Sequence, residues 1–216
     1  MFELDNVSVS YKDALALKDI SIRIEEGEKV ALIGPSGSGK TTLLYTLYEL
    51  EKNYSAFVHQ NYALVPQLSV FHNVYIGRLD NHKTAYNLLN LLKPQQKEVE
   101  QIVPILEALG MEVFLNKRVG TLSGGQQQRT AIARAIFRKS NIIFADEPVS
   151  SIDPHQAGAI LELITQRKKT VILSLHAVDL ALEFAERIVG LHFGHIVFDL
   201  PVSKVSDSLL SRLYQS

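Results

Sequence analysis

The stretch that decides the fold of this chain is Gly34-Pro35-Ser36-Gly37-Ser38-Gly39-Lys40-Thr41-Thr42. It fits the pattern G-x-x-x-x-G-K-[ST], whose glycines let successive backbone N–H groups curl around phosphate oxygens. The aliphatic run 29–33 before it predicts a buried strand, and leucines at helical spacing after it predict a helix from Thr41 to Leu50. The stretch therefore predicts a phosphate-binding loop at a helix N-terminus. In such a loop Lys40 reaches the β- and γ-phosphates and the Thr41 hydroxyl ligates Mg²⁺.

The composition limits the class of protein. A chain of 216 residues can form one well-buried α/β domain with a subdomain inserted into it. Its 22 Lys plus Arg and 23 Asp plus Glu give a net charge of -1, which offers no bulk attraction to nucleic acid or anionic lipid and leaves only a local patch open. With no cysteine, disulfides and thiolate metal sites are excluded.

Targeting signals are not visible in the sequence. Residues 1–5 show no basic segment followed by an apolar one, which predicts a cytoplasmic protein. No apolar run approaches the roughly twenty residues of a membrane span, so a role at a membrane would need another chain that crosses it.

Two segments before the loop alternate apolar and polar residues. Residues 2–10 and 20–24 both predict half-buried antiparallel strands, joined to the loop strand by a turn at 25–28. Tyr11 ends the first of these strands. Its ring is suited either to stacking on an adenine or to ordinary packing, and the residues alone leave both open.

A short strand is predicted to end just before Gln60, and the sequence pattern beyond it becomes helical. Gln60 is suited either to touching a metal-bound water or to a position without a role in a site; the residue alone leaves both open. Residues 66–121 contain helical segments at 70–79, 85–92 and 99–109, with Pro94, Pro104 and Gly110 as punctuation. This pattern predicts a helical subdomain inserted between two strands of the core.

A second helix start follows at Leu122-Ser123-Gly124-Gly125-Gln126-Gln127-Gln128-Arg129. Ser123 is suited to capping the helix, and two glycines stand where better helix formers are expected. The glycines permit close approach of an anion to the helix N-terminus.

The carboxylates lie at the end of an apolar strand. Residues 141–145 lead into Asp146 and Glu147, which should point to opposite sides of the strand end. We expect Asp146 to hold hydrated Mg²⁺ and Glu147 to act as general base on the attacking water. His176 follows the next strand, 170–174, at the edge where α/β sheets bind ligands.

These segments predict one α/β domain: a P-loop core with a mostly parallel sheet at about 1–65 and 122–202, the helical insertion at about 66–121 and a tail helix at 203–216. A helix at 178–186 and a hairpin about Gly194 complete the core. No role is assigned to five other histidines: His72, His82, His155, His192 and His195.

In order and character the motifs resemble the ATP-binding cassette (ABC) family, and the resemblance covers nearly the whole chain. The segments 34–42, Gln60, 122–129, 142–147, 151–153 and His176 are similar to its Walker A, Q-loop, signature, Walker B, D-loop and switch histidine. The Leu-Ser-Gly-Gly-Gln signature is specific to this family.

The resemblance implies a head-to-tail dimer, with ATP between the Walker A of one subunit and the signature of the other. It implies catalytic roles for Glu147, His176 and Gln60, and Mg²⁺ held by Thr41, Gln60 and Asp146. It also implies nucleotide contacts for Tyr11, Gly34, Pro35, Ser36, Gly37, Ser38, Gly39, Lys40, Thr41, Thr42, Ser123, Gly124, Gly125, Gln126 and Asp153.

The compact chain resembles the ATPase subunits of importers, and segments 73–79 and 175–181 are similar to those of phosphonate importers. This implies transmembrane permease subunits, indirectly a substrate-binding protein, a place on the cytoplasmic face of the membrane, and no nucleic acid. One departure is the short interval from Walker A to Gln60, which predicts a shortened antiparallel β-subdomain. Another import substrate, export, a soluble ATPase on nucleic-acid machinery and a regulatory ATP-binding protein of low turnover remain alternatives.

Overall fold

The computed structural model describes residues 1–11 and 14–215, with the side chain of Tyr11 outside that description. Among the described residues, eight strands form two sheets. The strands are β1 Phe2–Tyr11, β2 Ala14–Ile24, β3 Lys29–Ile33, β4 Ser55–Val58, β5 Ile142–Asp146, β6 Thr170–Ser174, β7 Arg187–His192 and β8 His195–Pro201. The α-helices are α1 Lys40–Leu50, α2 Val70–Tyr75, α3 Thr84–Leu92, α4 Gln96–Ala108, α5 Gly124–Phe137, α6 Pro154–Arg167, α7 Val178–Phe184 and α8 Asp207–Tyr214.

The main sheet has the strand order β4-β5-β6-β3-β7-β8 and is parallel except for β8. Its central strand β3 is buried on both faces, because Val30 and Leu32 face one apolar cluster while Ala31 and Ile33 face another. Burial on both faces is typical of parallel sheets covered by helices. The predicted α/β fold with a mostly parallel sheet is confirmed.

The strands β1 and β2 form a separate antiparallel pair. Helix α1 packs between this pair and the main sheet through Leu43, Leu44 and Leu47, all fully buried. Burying each leucine stabilises the fold by about 1.5–3 kcal/mol. The apolar alternation along β1 is broken after Leu4, where the strand register shifts before Val7.

The connection between α1 and β4 is four residues long, Glu51 to Tyr54, and contains no strand. In the described part of the chain, the β1–β2 pair therefore gains no further strand from this interval. The N-terminal antiparallel subdomain is short, as the sequence predicts.

The segment between β4 and α5 is helical, with two differences from the sequence prediction. The helix expected at 70–79 ends at Tyr75 and continues as a 3₁₀ turn, Ile76–Asn81, with a kink at Arg78 (φ -129°). Pro104 lies inside α4, so the expectation that it punctuates a helix is wrong. Burial of Ile102 and Leu106 holds α4 together and outweighs the helix-breaking preference of proline.

The tail helix begins later than the sequence suggests. A 3₁₀ turn, Val202–Lys204, precedes α8, and Ser206 caps that helix by accepting from the Leu209 amide. Leu213 anchors α8 in the core. Across the described residues, no helix has both the length and the apolar character needed to cross a bilayer.

Candidate nucleotide site

A cavity of about 240 Å³ opens at the loop between β3 and α1. Its walls come from Ala16, the loop residues 36–42, Gln60, Glu147 and His176. The last three side chains follow β4, β5 and β6, whose carboxyl ends meet at one edge of the parallel sheet. The structure therefore brings the loop together with three of the strand-end residues that the sequence singles out.

The loop owes its path to glycines. Gly34 has φ +147°, and a Cβ added there would lie 2.1 Å from the Leu191 carbonyl oxygen. Gly39 has φ +103°, and its Cβ would lie 2.8 Å from the Ala16 carbonyl oxygen. Side chains at these two positions would be both strained and blocked. Gly34 and Pro35 shape the loop without lining the cavity.

The loop and the helix that follows it are suited to an anion. Ser38 lines the cavity, while its hydroxyl is buried against Gly34 and has no hydrogen-bond partner among the described residues. Helix α1 starts at Lys40, so its N-terminal N–H groups and dipole point into the same space. Backbone N–H groups of a glycine loop at a helix N-terminus fit the phosphate groups of a nucleotide.

Lys40 is buried against its own loop. Its Nζ donates to the carbonyl oxygens of Gly34 (2.8 Å) and Pro35 (2.9 Å). Burial lowers the pKa of Lys40, while the nearby charges of Glu147 and Asp146 act in the opposite direction. The side chain is thus held beside the cavity by the loop itself.

Asp146 is buried and accepts two hydrogen bonds at one carboxylate oxygen. Its Oδ1 accepts from the Thr41 hydroxyl at 3.1 Å and from the Ser174 hydroxyl at 2.5 Å. A hydroxyl and a carboxylate side by side form an oxygen donor set that Mg²⁺ favours, because this ion is usually held by one or two protein oxygens together with substrate phosphates and water. Thr41 and Asp146 therefore fit the metal that the sequence predicts. Gln60 lines the nucleotide cavity together with Thr41.

Glu147 lines the cavity, whereas Asp146 does not. Its Oε1 lies 2.6 Å from Nε2 of His176, and its backbone has φ +49°, in the left-handed region. The Glu147 amide donates to the Ser174 carbonyl (3.2 Å) and hydroxyl (3.0 Å), which holds this turn in place. The neighbouring carboxylates at 146 and 147 therefore have different partners, as expected from the sequence.

The signature segment lies apart from the cavity within one chain. Ser123 caps α5 in a capping box, accepting from the Gln126 amide while its own amide donates to the Gln126 side chain. Ser123 and Gly124 are exposed. A Cβ on Gly125 would lie 2.8 Å from the Ser151 carbonyl oxygen, so this glycine has a packing reason that the sequence did not reveal.

Sequence reasoning missed Gln128. This buried residue donates from Nε2 to the Glu147 carbonyl (2.8 Å) and accepts at Oε1 from the Ser151 amide (2.9 Å). These two bonds connect α5 to Glu147 and Ser151, the residues on either side of Ser150 in this turn. The available signal was the run of three glutamines at 126–128, of which only the last is fully buried.

The outcome differs for two other predicted nucleotide contacts, Asp153 and Tyr11. Asp153 caps α6 by accepting from the His155 amide at 2.9 Å and does not line the cavity. The adenine-stacking role expected of Tyr11 concerns a side chain that lies outside the described residues.

The site combines a strand, a glycine loop and a helix with a carboxylate pair at the end of β5. Together these parts define a P-loop nucleotide hydrolase. The family model described as ABC transporter matches residues 17–150, more than half of the chain. The chain belongs to the ABC transporter family and is an ABC-type ATPase.

Curated relatives resemble the chain over almost its whole length. The phosphonates import ATP-binding protein PhnC of Rhizobium johnstonii is 36% identical over 243 aligned positions, covering 99% of this chain and 86% of the relative. PhnC 3 of Halalkalibacterium halodurans is 37% identical over 244 positions, with 99% and 94% covered.

Solved structures share the fold. The dimeric post-hydrolysis state of the ATP-binding cassette MJ0796, bound to ADP and Pi, has a TM-score of 0.83 at 29% identity, covering 94% of this chain and 99% of that one. A second dimeric structure of MJ0796, described as a bacterial ABC transporter cassette, has a TM-score of 0.81 at the same identity.

Proposed function

We propose that this chain is the ATP-hydrolysing subunit of a phosphonate importer and acts as a head-to-tail pair on the cytoplasmic face of the membrane. Its partners would be transmembrane permease subunits, served by a separate substrate-binding protein. The observation that carries the ATPase part is the cavity shared by the glycine loop, Gln60, Glu147 and His176. The substrate is supported by the names of the relatives, which match along nearly the full chain.

In the proposed reaction a water attacks the γ-phosphorus, and the bond to the β–γ bridging oxygen breaks to release ADP and phosphate. Glu147 accepts the proton from this water. His176, 2.6 Å from Glu147, orients that carboxylate. Lys40 and the loop N–H groups hold the phosphates in line. Mg²⁺, when bound at Thr41 and Asp146, would neutralise charge on the β- and γ-phosphates.

The second copy is proposed from the position of the signature. Ser123 and Gly124 present an exposed helix N-terminus that does not line the cavity of their own chain. An exposed, capped N-terminus is suited to an anion brought by another molecule. In the head-to-tail pair it would meet the γ-phosphate held by the partner's loop, and the D-loop with Asp153 would lie at the same interface.

The decisive variant is Glu147→Gln, which keeps the side-chain shape but removes the base. We expect ATP turnover to fall about 10²- to 10⁴-fold while ATP affinity stays unchanged. Lys40→Ala is the matched contrast, because it should weaken ATP binding itself. Turnover is measured by phosphate release and affinity by titration with ATP. Undiminished turnover in Glu147→Gln would refute the assignment of the base.

The substrate is tested on the complete transporter. The chain is copurified with its permease, reconstituted, and assayed for phosphate release with the binding protein and candidate phosphonates. We expect phosphonates to stimulate turnover and other oxyanions to do so less. If an unrelated substrate stimulates turnover and phosphonates do not, that substrate is the one the transporter carries. Normal ATP binding with negligible turnover in every case would instead favour the regulatory alternative.

A further inference from the structure

Two asparagines of helix α3, Asn87 and Asn90, face the protein. Asn90 is fully buried; its Nδ2 donates to the Tyr75 hydroxyl (3.3 Å) and the Tyr86 carbonyl (3.1 Å), and its Oδ1 accepts from the Gln95 amide (3.1 Å). Asn87 accepts from the same Tyr75 hydroxyl at 2.8 Å. Rotating the helix would leave these buried groups without partners, which is costly. The polar contacts therefore fix which face of α3 meets solvent.

The face that meets solvent is apolar. Leu88, Leu89, Leu91 and Leu92 are 56%, 53%, 51% and 84% exposed. A surface helix usually shows the opposite arrangement, with leucines toward the core and polar side chains outward. Contiguous exposed apolar patches on soluble domains commonly mark interaction sites. Beside these leucines, a groove of about 260 Å³ runs between α3 and the turn 76–81.

The rim of this face is basic. Residues 81–97 contain three lysines and no aspartate or glutamate, in a chain whose net charge is -1. The three lysines, Lys83, Lys93 and Lys97, are all exposed. Lys83 and Lys93 stand at the two ends of α3. Of the acidic residues that border this stretch, Asp80 is paired with Arg138 at 3.3 Å and Glu98 is buried. Leucines between two lysines that form no ion pair with a described residue complement a surface that is apolar below and anionic above, as at the headgroup boundary of a bilayer.

We propose that the leucine face of α3 docks on the surface of a membrane containing anionic phospholipid, with Lys83, Lys93 and Lys97 at the headgroups. The shape of the face favours lipid over a partner helix. At 3.6 residues per turn the four leucines span about 160° of the helix circumference, whereas a helix pair uses a narrow seam. This contact would belong to the chain itself and does not depend on what the transporter carries.

The test is cosedimentation of the purified full chain, without permease, with vesicles of phosphatidylcholine alone or mixed with phosphatidylglycerol. We expect binding to the mixed vesicles that salt weakens. Leu89→Gln combined with Leu92→Gln should lower partitioning at least about tenfold, since each leucine loses its apolar burial. Val113→Gln is the matched control, because Val113 is 73% exposed on another element. Equal thermal midpoints and equal stabilisation by ATP show that the variants fold.

A second arm separates the charge from the apolar face. Lys83→Gln combined with Lys93→Gln and Lys97→Gln should abolish the preference for phosphatidylglycerol while leaving residual binding to both vesicles. Wild-type chain that does not sediment with mixed vesicles at low salt would overturn the proposal, as would undiminished binding by the double leucine variant. Light scattering that shows wild-type pairs without ATP, absent in the leucine variant, would also overturn it and assign the face to a second copy.

Discussion

At the scale of single residues, Glu147 shows how the site separates two adjacent carboxylates. A strand alone sends neighbouring side chains to opposite sides, but β5 already ends at Asp146. The separation is completed by the left-handed backbone of Glu147, which costs about 1–3 kcal/mol and is held by Ser174. Such a conformation at a proposed base fits the tendency of strained backbone to gather at functional sites.

Lys168 allows a residue-scale prediction on pH. Its Nζ donates to the carbonyls of Arg138 and Ser140, both at 2.8 Å. Burial, with smaller effects from the charges of Arg78 and Arg138, lowers the pKa of Lys168 to about 8. Because this pKa is below that of the unfolded chain, the folded state binds fewer protons, and stability should rise as the pH increases from about 8 to about 10.5.

Lys168→Met removes this titration. The free energy of unfolding of wild type relative to the variant should grow by about 2 kcal/mol from about pH 7 to about pH 10. The measurement is urea denaturation at stepped pH. Lys169→Met, at the exposed neighbour, is the control and should show no such growth. A difference between wild type and Lys168→Met that is flat over this range would contradict the prediction.

Several site residues could not be found from sequence, for a physical reason. Gln128 and Ser174 act through contacts made across the fold, with the backbone after Asp146 as their shared target. Their own sequence surroundings look like an ordinary helix and an ordinary strand. The positions of Lys40, Asp146 and Glu147 could be predicted because they follow from a local loop and a strand end, while their roles stay predictions.

At the scale of elements, the proposed role of the α5 N-terminus yields a second prediction. Ser123→Arg places a bulky cation where the partner's phosphates and loop would come. We expect ATP binding by the monomer to stay nearly intact, while pairing and turnover are lost. Ser123→Ala controls for stability, because it loses the helix cap as Ser123→Arg does. This loss costs about 1 kcal/mol in each variant. Equal losses of ATP binding and pairing in Ser123→Arg would leave Ser123 as a helix cap only.

The elements of the core could be predicted because their signals are local. Aliphatic runs ending at a motif predict β3, β5 and β6, and each is present. The helical segment was harder to predict. Whether a helix continues through Pro104, and whether the chain kinks at Arg78, depends on packing against α5 and its surroundings. The sequence predicts the helix that carries the α3 leucines, but it does not predict which way they face. Their orientation depends on contacts such as that of Asn90 with Tyr75, which exist only in the folded chain.

At the scale of the whole molecule, this chain is shorter than the stretches of its relatives that align with it. Alignments of 243 and 244 positions against 216 residues mean that the relatives carry stretches which this chain lacks. The nucleotide cavity is complete without them, because its walls come from β2, the loop and the strand ends. We therefore expect the reduction to bear on contacts with other chains more than on binding of ATP.

Pairing is the property of the whole molecule on which the proposed motor depends. One cavity supplies a triphosphate with a single helix N-terminus, that of α1, and a second copy would add that of α5, so the two positive dipole ends would share one anion. Glu147→Gln should therefore double its mass by light scattering when ATP and Mg²⁺ are added, and ADP should not have this effect. The same variant carrying Ser123→Arg should keep the mass of one chain. If Glu147→Gln binds ATP yet keeps the mass of one chain at every concentration, the chain holds nucleotide without forming a motor.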